Sequence, residues 1–419
     1  MRILVVTQYF WPETFRINEL CQMFVERGHA VTILTGVPNY PSGEVFPEYR
    51  RSRNAFAQFG GANVVRVPMF RRGTRRMQLA LNYASFAISA ASLGSWRLRG
   101  QRFDVIFVYE PSPITVGIPA MVLRRLKGIP SCLWILDLWP ETPHALGMLP
   151  HPMLYRATQW GVRCIYRRTD LLLVQSPGFV EPVGALAPSG TPIEYFPSWA
   201  DAVFESTTEP EPAAEVPAVP GSFNVLFAGN VGEAQDFGMI LDAAEALATR
   251  TDIRFLVVGD GRQLAWVRSE VERRHLSGTV LMLGRHPVER MPAFFAHADA
   301  LLVSLRPDPV FSKTIPAKVQ AYMASGKPIV AALDGEGADA VRRWKCGLVV
   351  APGDSAGLVA AVVKLADGPV SERVAMGENG RAGADSEFNR HVLVDRLLCW
   401  LEELTQGSAE RRLARKVAA

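Results

Sequence analysis

Cysteine is scarce and unpatterned in this chain. There are five in 419 residues (Cys21, Cys132, Cys164, Cys346 and Cys399), with no Cys-x-x-Cys spacing. This excludes a disulfide framework and a cysteine-built zinc site, and it points to a reducing compartment. The seven histidines are equally dispersed. No Walker-type phosphate loop and no Gly-x-Ser-x-Gly occurs, which removes the P-loop NTPase and α/β-hydrolase readings. No Asp-x-Asp pair follows a strand, so a metal-bridged nucleotide diphosphate has no obvious ligand set. Neither a metal nor a cofactor is expected. No signal peptide is read, because Arg2-Ile-Leu-Val-Val-Thr7 has the pattern of a buried first strand. An excess of one charge sign is lacking as well. The net charge is +4, from 45 Lys+Arg and 41 Asp+Glu, which excludes a uniformly basic nucleic-acid binder.

The even balance conceals a division. Residues 1–205 carry a net +7 and the remainder a net −3. Within residues 50–127 there are 14 basic side chains against only Asp104 and Glu110. Such a field attracts phosphates, anionic lipid or nucleic acid.

Short apolar runs alternate with helical patterns along the whole chain. Ile3–Val6 precedes a helical pattern (Ile17, Leu20, Cys21, Phe24, Val25) that Gly28 stops, and Ala30–Leu34 follows. Further strands are expected at Asn63–Val67, Val105–Tyr109, Ser131–Leu136 and Leu171–Val174. Helices are expected near 77–97, 115–127 and 153–167 between them. Continuous apolar strands between helices indicate parallel sheets covered on both faces. The Pro/Glu/Ala-rich stretch 206–221 cannot pack a core and reads as a linker or surface excursion. A second βα series then runs from Asn224–Ala228 to Gly347–Val350. The expected organisation is a domain over 1–205, the linker, a domain over 222–390, and an amphipathic helix with a basic tail over 391–419.

In open α/β sheets, ligands sit beyond the carboxyl ends of the strands, near helix N-termini. In the second domain the loops there are Gly229-Asn230-Val-Gly232-Glu-Ala-Gln235 and Gly259-Asp-Gly261. Lys313 through Pro316-Ala-Lys318, and Asp334-Gly335-Glu336, follow later strands. Glycines let a backbone approach a phosphate closely, and the two lysines add charge at a helix start. In the first domain three loops carry carboxylates: Trp11-Pro-Glu13 with Arg16, Glu110-Pro-Ser, and Asp137-Leu-Trp139-Pro-Glu141. The two Trp-Pro pairs are either plates for a sugar ring or packing for rigid loops.

In this order the segments resemble the retaining glycosyltransferases of family 4. The stretches that carry the resemblance are Gln8-Tyr-Phe-Trp-Pro-Glu13, Asp137-Leu-Trp-Pro-Glu141 with Ala145-Leu-Gly147, Phe196-Pro-Ser-Trp199-Ala-Asp201, Phe227-Ala-Gly-Asn230, and Pro316-Ala-Lys318 through Gly326-Lys-Pro328. They are most similar to the bacterial L-fucosamine transferase-like branch of surface-polysaccharide enzymes. The resemblance implies a GT-B fold, with two Rossmann-like domains whose parallel sheets face across a cleft. It also implies a nucleotide-sugar donor on the C-terminal domain, a saccharide acceptor on the N-terminal domain, and retention without a metal. UDP is the nucleotide implied, and the acceptor is lipid-linked. On that reading Gly229, Asn230, Gly232, Gln235, Gly259, Gly261, Lys313, Lys318, Gly335 and Glu336 bind donor. Arg16, Glu110, Trp139 and Glu141 bind acceptor, and Asp137 and Glu13 are the catalytic candidates.

The sequence also departs from the family pattern. The glutamates of a Glu-x7-Glu motif fall on Lys313 and Ala321. Diphosphate-holding Arg and Lys positions fall on Asn230 and Gln235, and a His-Asp pair becomes Leu136-Asp137. Charge for the diphosphate is therefore expected from Lys313, Lys318 and helix N-termini.

Residues 77–96 form an uncharged stretch of 20 residues between arginine clusters. Asn82, Ser85, Ser89 and Ser92 recur at helical spacing opposite Leu79, Tyr83, Phe86, Ala90 and Leu93, so the segment reads as amphipathic rather than spanning. Arg71, Arg72, Arg75 and Arg76 are then expected at an anionic membrane, and the protein at the cytoplasmic face of the plasma membrane. Two other functions stay open on the sequence: a GT-B UDP-sugar 2-epimerase, and a non-catalytic nucleotide-sugar binder.

Overall fold

The computed structural model describes residues 1–73, 75–204 and 210–417, and of residue 409 and residues 411–417 only the backbone. The chain forms two compact units. One comprises Met1–Phe196 together with the segment from His391 onward, and the other Pro197–Arg390.

The first unit is built on an eight-stranded sheet. Its strands are β1 (Arg2–Val6), β2 (Ala30–Gly36), β3 (Gln58–Phe59), β4 (Ala62–Val67), β5 (Val105–Glu110), β6 (Ser131–Ile135), β7 (Leu171–Val174) and β8 (Ile193–Tyr195). The order is β3-β4-β2-β1-β5-β6-β7-β8, parallel throughout except for β3, which pairs antiparallel with β4. Every residue of β5, β6 and β7 is buried, which is why these strands read as unbroken apolar runs. Helix α1 (Arg16–Glu26) links β1 to β2. Helices α2 (Arg76–Ser89), α3 (Gly117–Lys127), α4 (Pro152–Tyr166) and α5 (Val180–Leu186) link the later strands. Right-handed crossovers place α1 on one face of the sheet and α2, α3, α4 and α5 side by side on the other.

The second unit has a six-stranded, wholly parallel sheet. Its strands are β9 (Phe223–Ala228), β10 (Ile253–Val258), β11 (Val280–Gly284), β12 (Ala300–Ser304), β13 (Ile329–Ala332) and β14 (Gly347–Val350), in the order β11-β10-β9-β12-β13-β14. Helices α6 (Phe237–Ala246), α7 (Leu264–Arg273), α8 (Ala317–Ser325), α9 (Gly335–Arg343), α10 (Ser355–Asp367) and α11 (Val370–Glu387) cover it. The final helix α12 (Arg390–Val417) belongs to the first unit. There it buries Leu393, Val394, Leu397 and Leu401, and Asp395 meets Arg27 at the end of α1 at 2.5 Å.

In both sheets the strand order reverses beside the first strand, between β1 and β5 and between β9 and β12. Such a switch point splays the flanking loops apart and leaves a crevice. The crevices fall at Gln8–Glu13 with Glu110–Pro113, and at Gly229–Gln235.

One expectation fails here. The stretch 206–221 is not a free linker over its described part. Ala213 and Val216 are buried, the Ala213 amide donates to the Ala293 carbonyl, and Arg290 pairs with Glu215 at 2.8 Å. Two small apolar side chains suffice to seat the segment on the second unit, whereas composition averages them away. Residues 205–209 lie outside the described residues.

Helix α2 is amphipathic, as expected: it buries Phe86 and Ala87 against the sheet, and part of its polar stripe turns inward beside them. Asn82 is fully buried: its amide oxygen accepts from Gln8 Nε2 at 2.7 Å and its amide nitrogen donates to the Phe70 carbonyl at 2.5 Å. Ser85 Oγ accepts from the Phe70 amide and Ser89 Oγ donates to the Pro68 carbonyl. Asn82, Ser85 and Ser89 face the protein because they satisfy loop groups there, whereas Ser92 is exposed.

Candidate active site

At the switch point of the second unit lies a cavity of about 580 Å³. Gly229, Asn230, Gly259, Asp260 and Gly261 form one wall, and Lys318 and Tyr322 of α8 stand opposite. The glycines are required by close approach. Gly229 and Gly259 have φ of 132° and 152°, and a Cβ on Gly259 would overlap the Gly229 carbonyl. A Cβ on Gly261 would likewise overlap the Val231 carbonyl, and one on Gly229 would sit 2.7 Å from Lys318 Cε. Tyr322 is buried, and its hydroxyl accepts from the Ala228 amide at 3.0 Å, fixing the end of β9.

Lys318 is one of the charged groups of this cavity, which Asp201, Asp260 and Arg285 also line. Its Nζ lies 2.6 Å from Gln235 Oε1 and 3.7 Å from the centre of the Phe227 ring. No carboxylate partners it among the described residues. Burial therefore lowers its pKa to about 7. An anion entering the cavity would reverse that shift.

The structure divides the expected donor residues. Gly229, Asn230, Gly259, Gly261 and Lys318 line the cavity, and Gln235 joins them through its bond to Lys318. Gly232, Lys313, Gly335 and Glu336 do not line it. Gly232 packs against Asn230, and Gly335, at φ 62°, packs against the Ser312 carbonyl beside Lys313. These two loops share the carboxyl edge of the sheet but form a separate cluster.

The sequence reading missed a further wall of the cavity. Arg285 and His286, in the loop after β11, belong to it, as do Met291, Phe295 and Phe204. Phe204 stacks on Phe295 with centroids 5.4 Å apart. The signal available was Leu283-Gly-Arg-His-Pro287, another glycine directly at a strand's end. Phe204 gave none, since it comes from a distant segment.

Gly259→Ala is expected to weaken nucleotide-sugar affinity at least tenfold, measured by isothermal titration. Gly278→Ala, at a glycine with nothing within 4 Å of its Cβ position, should leave it unchanged.

In the first unit, Glu110 at the end of β5 and Asp137 after β6 form a carboxyl pair. Glu110 is fully buried. Burial, then the charge of Asp137, raises its pKa well above the carboxylate range against the pull of the Asp137, Leu136 and Ser112 amides. Asp137 is also raised by burial, and hydrogen bonds from Thr142, Ser112 and Trp139 oppose the shift. The Tyr166 hydroxyl lies within the field of Glu110, Glu141 and Asp137. Ser112 sits at φ 102°, a conformation that L-residues rarely adopt and that strained functional loops retain.

Several acceptor-side expectations are corrected. Glu110 has no exposed surface, so it offers nothing to a ligand directly. Trp139 is buried, with Nε1 donating to Ser112 Oγ at 3.2 Å, and is no open sugar plate. Trp11 stacks on Phe56 at 4.6 Å. Glu13 is turned inward: Oε1 accepts from the Asn39 and Tyr40 amides at 2.7 Å each, and Oε2 from the Phe10 amide at 3.0 Å. Burial outweighs these bonds and lifts its pKa to about 7. Its oxygens hold two loops together, which leaves them unsuited to a catalytic base. Arg16 pairs with Glu19 at 3.1 Å. Arg72 is also structural, donating to the Tyr9 hydroxyl at 2.8 Å with its guanidinium over the Tyr9, Tyr40 and Tyr83 rings.

Comparison with known proteins follows the same division. A family model described as "Glycosyl transferase 4-like domain" matches residues 14–199, and one described as "Glycosyl transferases group 1" matches 222–367. A 2-deoxystreptamine glucosyltransferase of Streptomyces kanamyceticus is 25% identical over 349 residues, 78% of this chain and 84% of its own. A putative colanic acid biosynthesis glycosyl transferase of Escherichia coli is 23% identical over 349 residues, 78% of this chain and 82% of its own. Among solved structures, the Anabaena protein HepE, crystallised with UDP, superposes with a TM-score of 0.66 at 14% identity. The match covers 96% of this chain and 100% of that one.

Proposed function

We propose, from the premise that this chain belongs to the group 1 glycosyltransferases and is an enzyme of GT-B fold, that it transfers a hexose, amino- or deoxy-modified, with retention. The donor is UDP-linked and the acceptor a lipid-linked saccharide, in the assembly of a bacterial surface polysaccharide. The observation that carries the donor side is Lys318, a partly buried ammonium without a carboxylate at a glycine-lined cavity. The relative in colanic acid biosynthesis and the UDP complex of the Anabaena neighbour agree with this reading.

In the proposed reaction the bond between the anomeric carbon and the diphosphate oxygen breaks, and negative charge grows on the leaving group. Lys318 and the amides of the Gly229 and Gly259 loops are placed to meet that charge. The acceptor hydroxyl forms the new bond on the same face of the sugar, and Asp137 is assigned its proton. The reaction as proposed needs no metal, so a chelator should leave turnover unchanged.

A thermal-shift screen over UDP-, GDP- and dTDP-sugars tests the reading. A UDP-sugar at a hundred times its Kd should raise the melting temperature by roughly 5 °C. A shift with GDP-sugars alone would reject UDP, and a shift with none would reject the donor site.

A further inference from the structure

Outside the two sites, most of the large apolar side chains that the first unit leaves in solvent, among the described residues, lie on α2, α3 and α4. On α2, Met77, Leu81, Ala84 and Ile88 fall at intervals of four, three and four, which makes one continuous helical stripe, and all four are exposed. Met77 and Ile88 are 76% and 69% exposed. Trp96, just after α2, extends this exposed surface, and Leu126 of α3 is exposed beside it. On α4 the first nine residues contain no buried side chain, and Met153 and Trp160 are 82% and 70% exposed. Helix α1, on the opposite face of the sheet, leaves no large apolar side chain exposed.

The exposed stripe cannot be relieved by rotating the helix. The inward face of α2 carries Phe86 and Ala87, both buried, together with Asn82, Ser85 and Ser89, each bonded to a loop of the unit. Turning the helix to bury Met77 and Ile88 would strand those polar groups and the backbone they satisfy. The apolar face is thus held outward by hydrogen bonds.

The charge on this layer is mostly of one sign, although Arg124 of α3 is paired with Asp170 at 2.7 Å. Residues 71–168 contain 14 Lys and Arg and four acids, Asp104, Glu110, Asp137 and Glu141. Glu110 is buried and Asp104 is paired with Arg2. None of α2, α3 and α4 contains an Asp or Glu. Arg71, Arg75 and Arg76 precede the stripe and are exposed, and Arg97 and Arg99 follow it.

We propose that the outer surface of α2, α3 and α4 is a docking face for an anionic lipid bilayer, with the Met77–Leu81–Ile88 stripe inserted among the acyl chains and the flanking arginines at the headgroups. Apolar side chains interleaved with cations over three helices fit a surface that is apolar beneath and anionic above. A second copy of this chain would present the same positive field and repel. The inference deepens the lipid-linked-acceptor reading and rests on it for its purpose.

Flotation of the full chain with phosphatidylcholine–phosphatidylglycerol vesicles, against phosphatidylcholine alone, tests it. The wild type should float with the anionic vesicles only. M77S/L81S/I88S should bind at least tenfold more weakly with an unchanged melting temperature, since these side chains are exposed in the folded chain. R71S/R75S/R76S should bind about a hundredfold more weakly at low salt. A wild type that stays in the aqueous fraction, or a stripe variant that floats like wild type, overturns the proposal. Retention on polyglutamate without vesicle binding overturns it in favour of an acidic protein partner. The nucleotide-sugar thermal shift, measured on the same preparations, separates the two readings. Its loss with flotation intact removes the donor site and leaves the docking face standing.

Discussion

Lys318→Met is expected to reduce nucleotide-sugar affinity by a hundredfold or more while raising the melting temperature of the unliganded protein. The two effects have one cause. The ammonium is held between Gln235 Oε1 and the Phe227 ring without a carboxylate, and burial lowers its pKa to about 7. Removing it relieves a desolvated charge and leaves an apolar side chain of similar length. The same change deletes a charge-assisted bond to phosphate in a partly dry site, worth about 2–3 kcal/mol or more. Titration calorimetry and thermal denaturation on one preparation check both halves. Unchanged affinity would remove Lys318 from the donor site.

The pH dependence follows from the same group. A nucleotide sugar binds best to the protonated lysine, so affinity should fall by about tenfold per pH unit above 7. Stability moves the other way. The folded pKa lies below the unfolded one, so between about 7 and the ordinary lysine range the unfolded chain binds more protons. Wild-type stability gains with rising pH through that window, and the advantage of the Met variant is largest at pH 7 and below.

Asp137→Asn is expected to cut turnover by about 10²- to 10⁴-fold, the usual contribution of a general base. Donor affinity should hardly change, because Asp137 lies in the first unit and Lys318 in the second. Asparagine keeps the shape and an acceptor oxygen for Thr142, Ser112 and Trp139. What it loses is proton affinity. Burial raises the Asp137 pKa above the usual carboxylate range, so wild-type kcat should fall on the acid side as pH drops through that raised value. The Asn variant should lack this acid limb. Single-turnover kinetics with titration of donor binding would decide, and wild-type turnover in the variant would take Asp137 out of the mechanism.

Much of the glycine-lined cavity of the second unit was legible before any fold was known. A glycine directly after an apolar strand marks a backbone that must approach another closely, and Gly229, Gly259 and Gly261 lie where that rule puts them. Lys318 was legible as a cation at a helix start. Its pairing with Gln235 was not, because the partners are 83 residues apart and meet only once β9 and α8 are assembled. Lys313 and Gly335 followed the same local rule yet form their own cluster, since neighbouring loops at one sheet edge need not share a cavity. On the first unit the carboxylates were found but their roles were misjudged. Nothing local distinguishes Glu13, whose oxygens bind three amides from two loops, from Asp137, which keeps some exposure.

Residues 77–96 separate the two kinds of information most clearly. By itself the sequence determined that the segment is a helix with a polar stripe and an apolar one, bounded by arginines, because 3.6-residue spacing is a local property. It could not decide which stripe faces the protein. The tertiary structure decided it: Phe86 and Ala87 pack into the core, and Asn82, Ser85 and Ser89 beside them bond to Gln8, Phe70 and Pro68. The sequence likewise determined the scarcity of cysteine, the alternation of strand and helix and the division of charge. Where the basic half places its arginines and its exposed apolar surface was decided by long-range hydrogen bonds that no local pattern encodes.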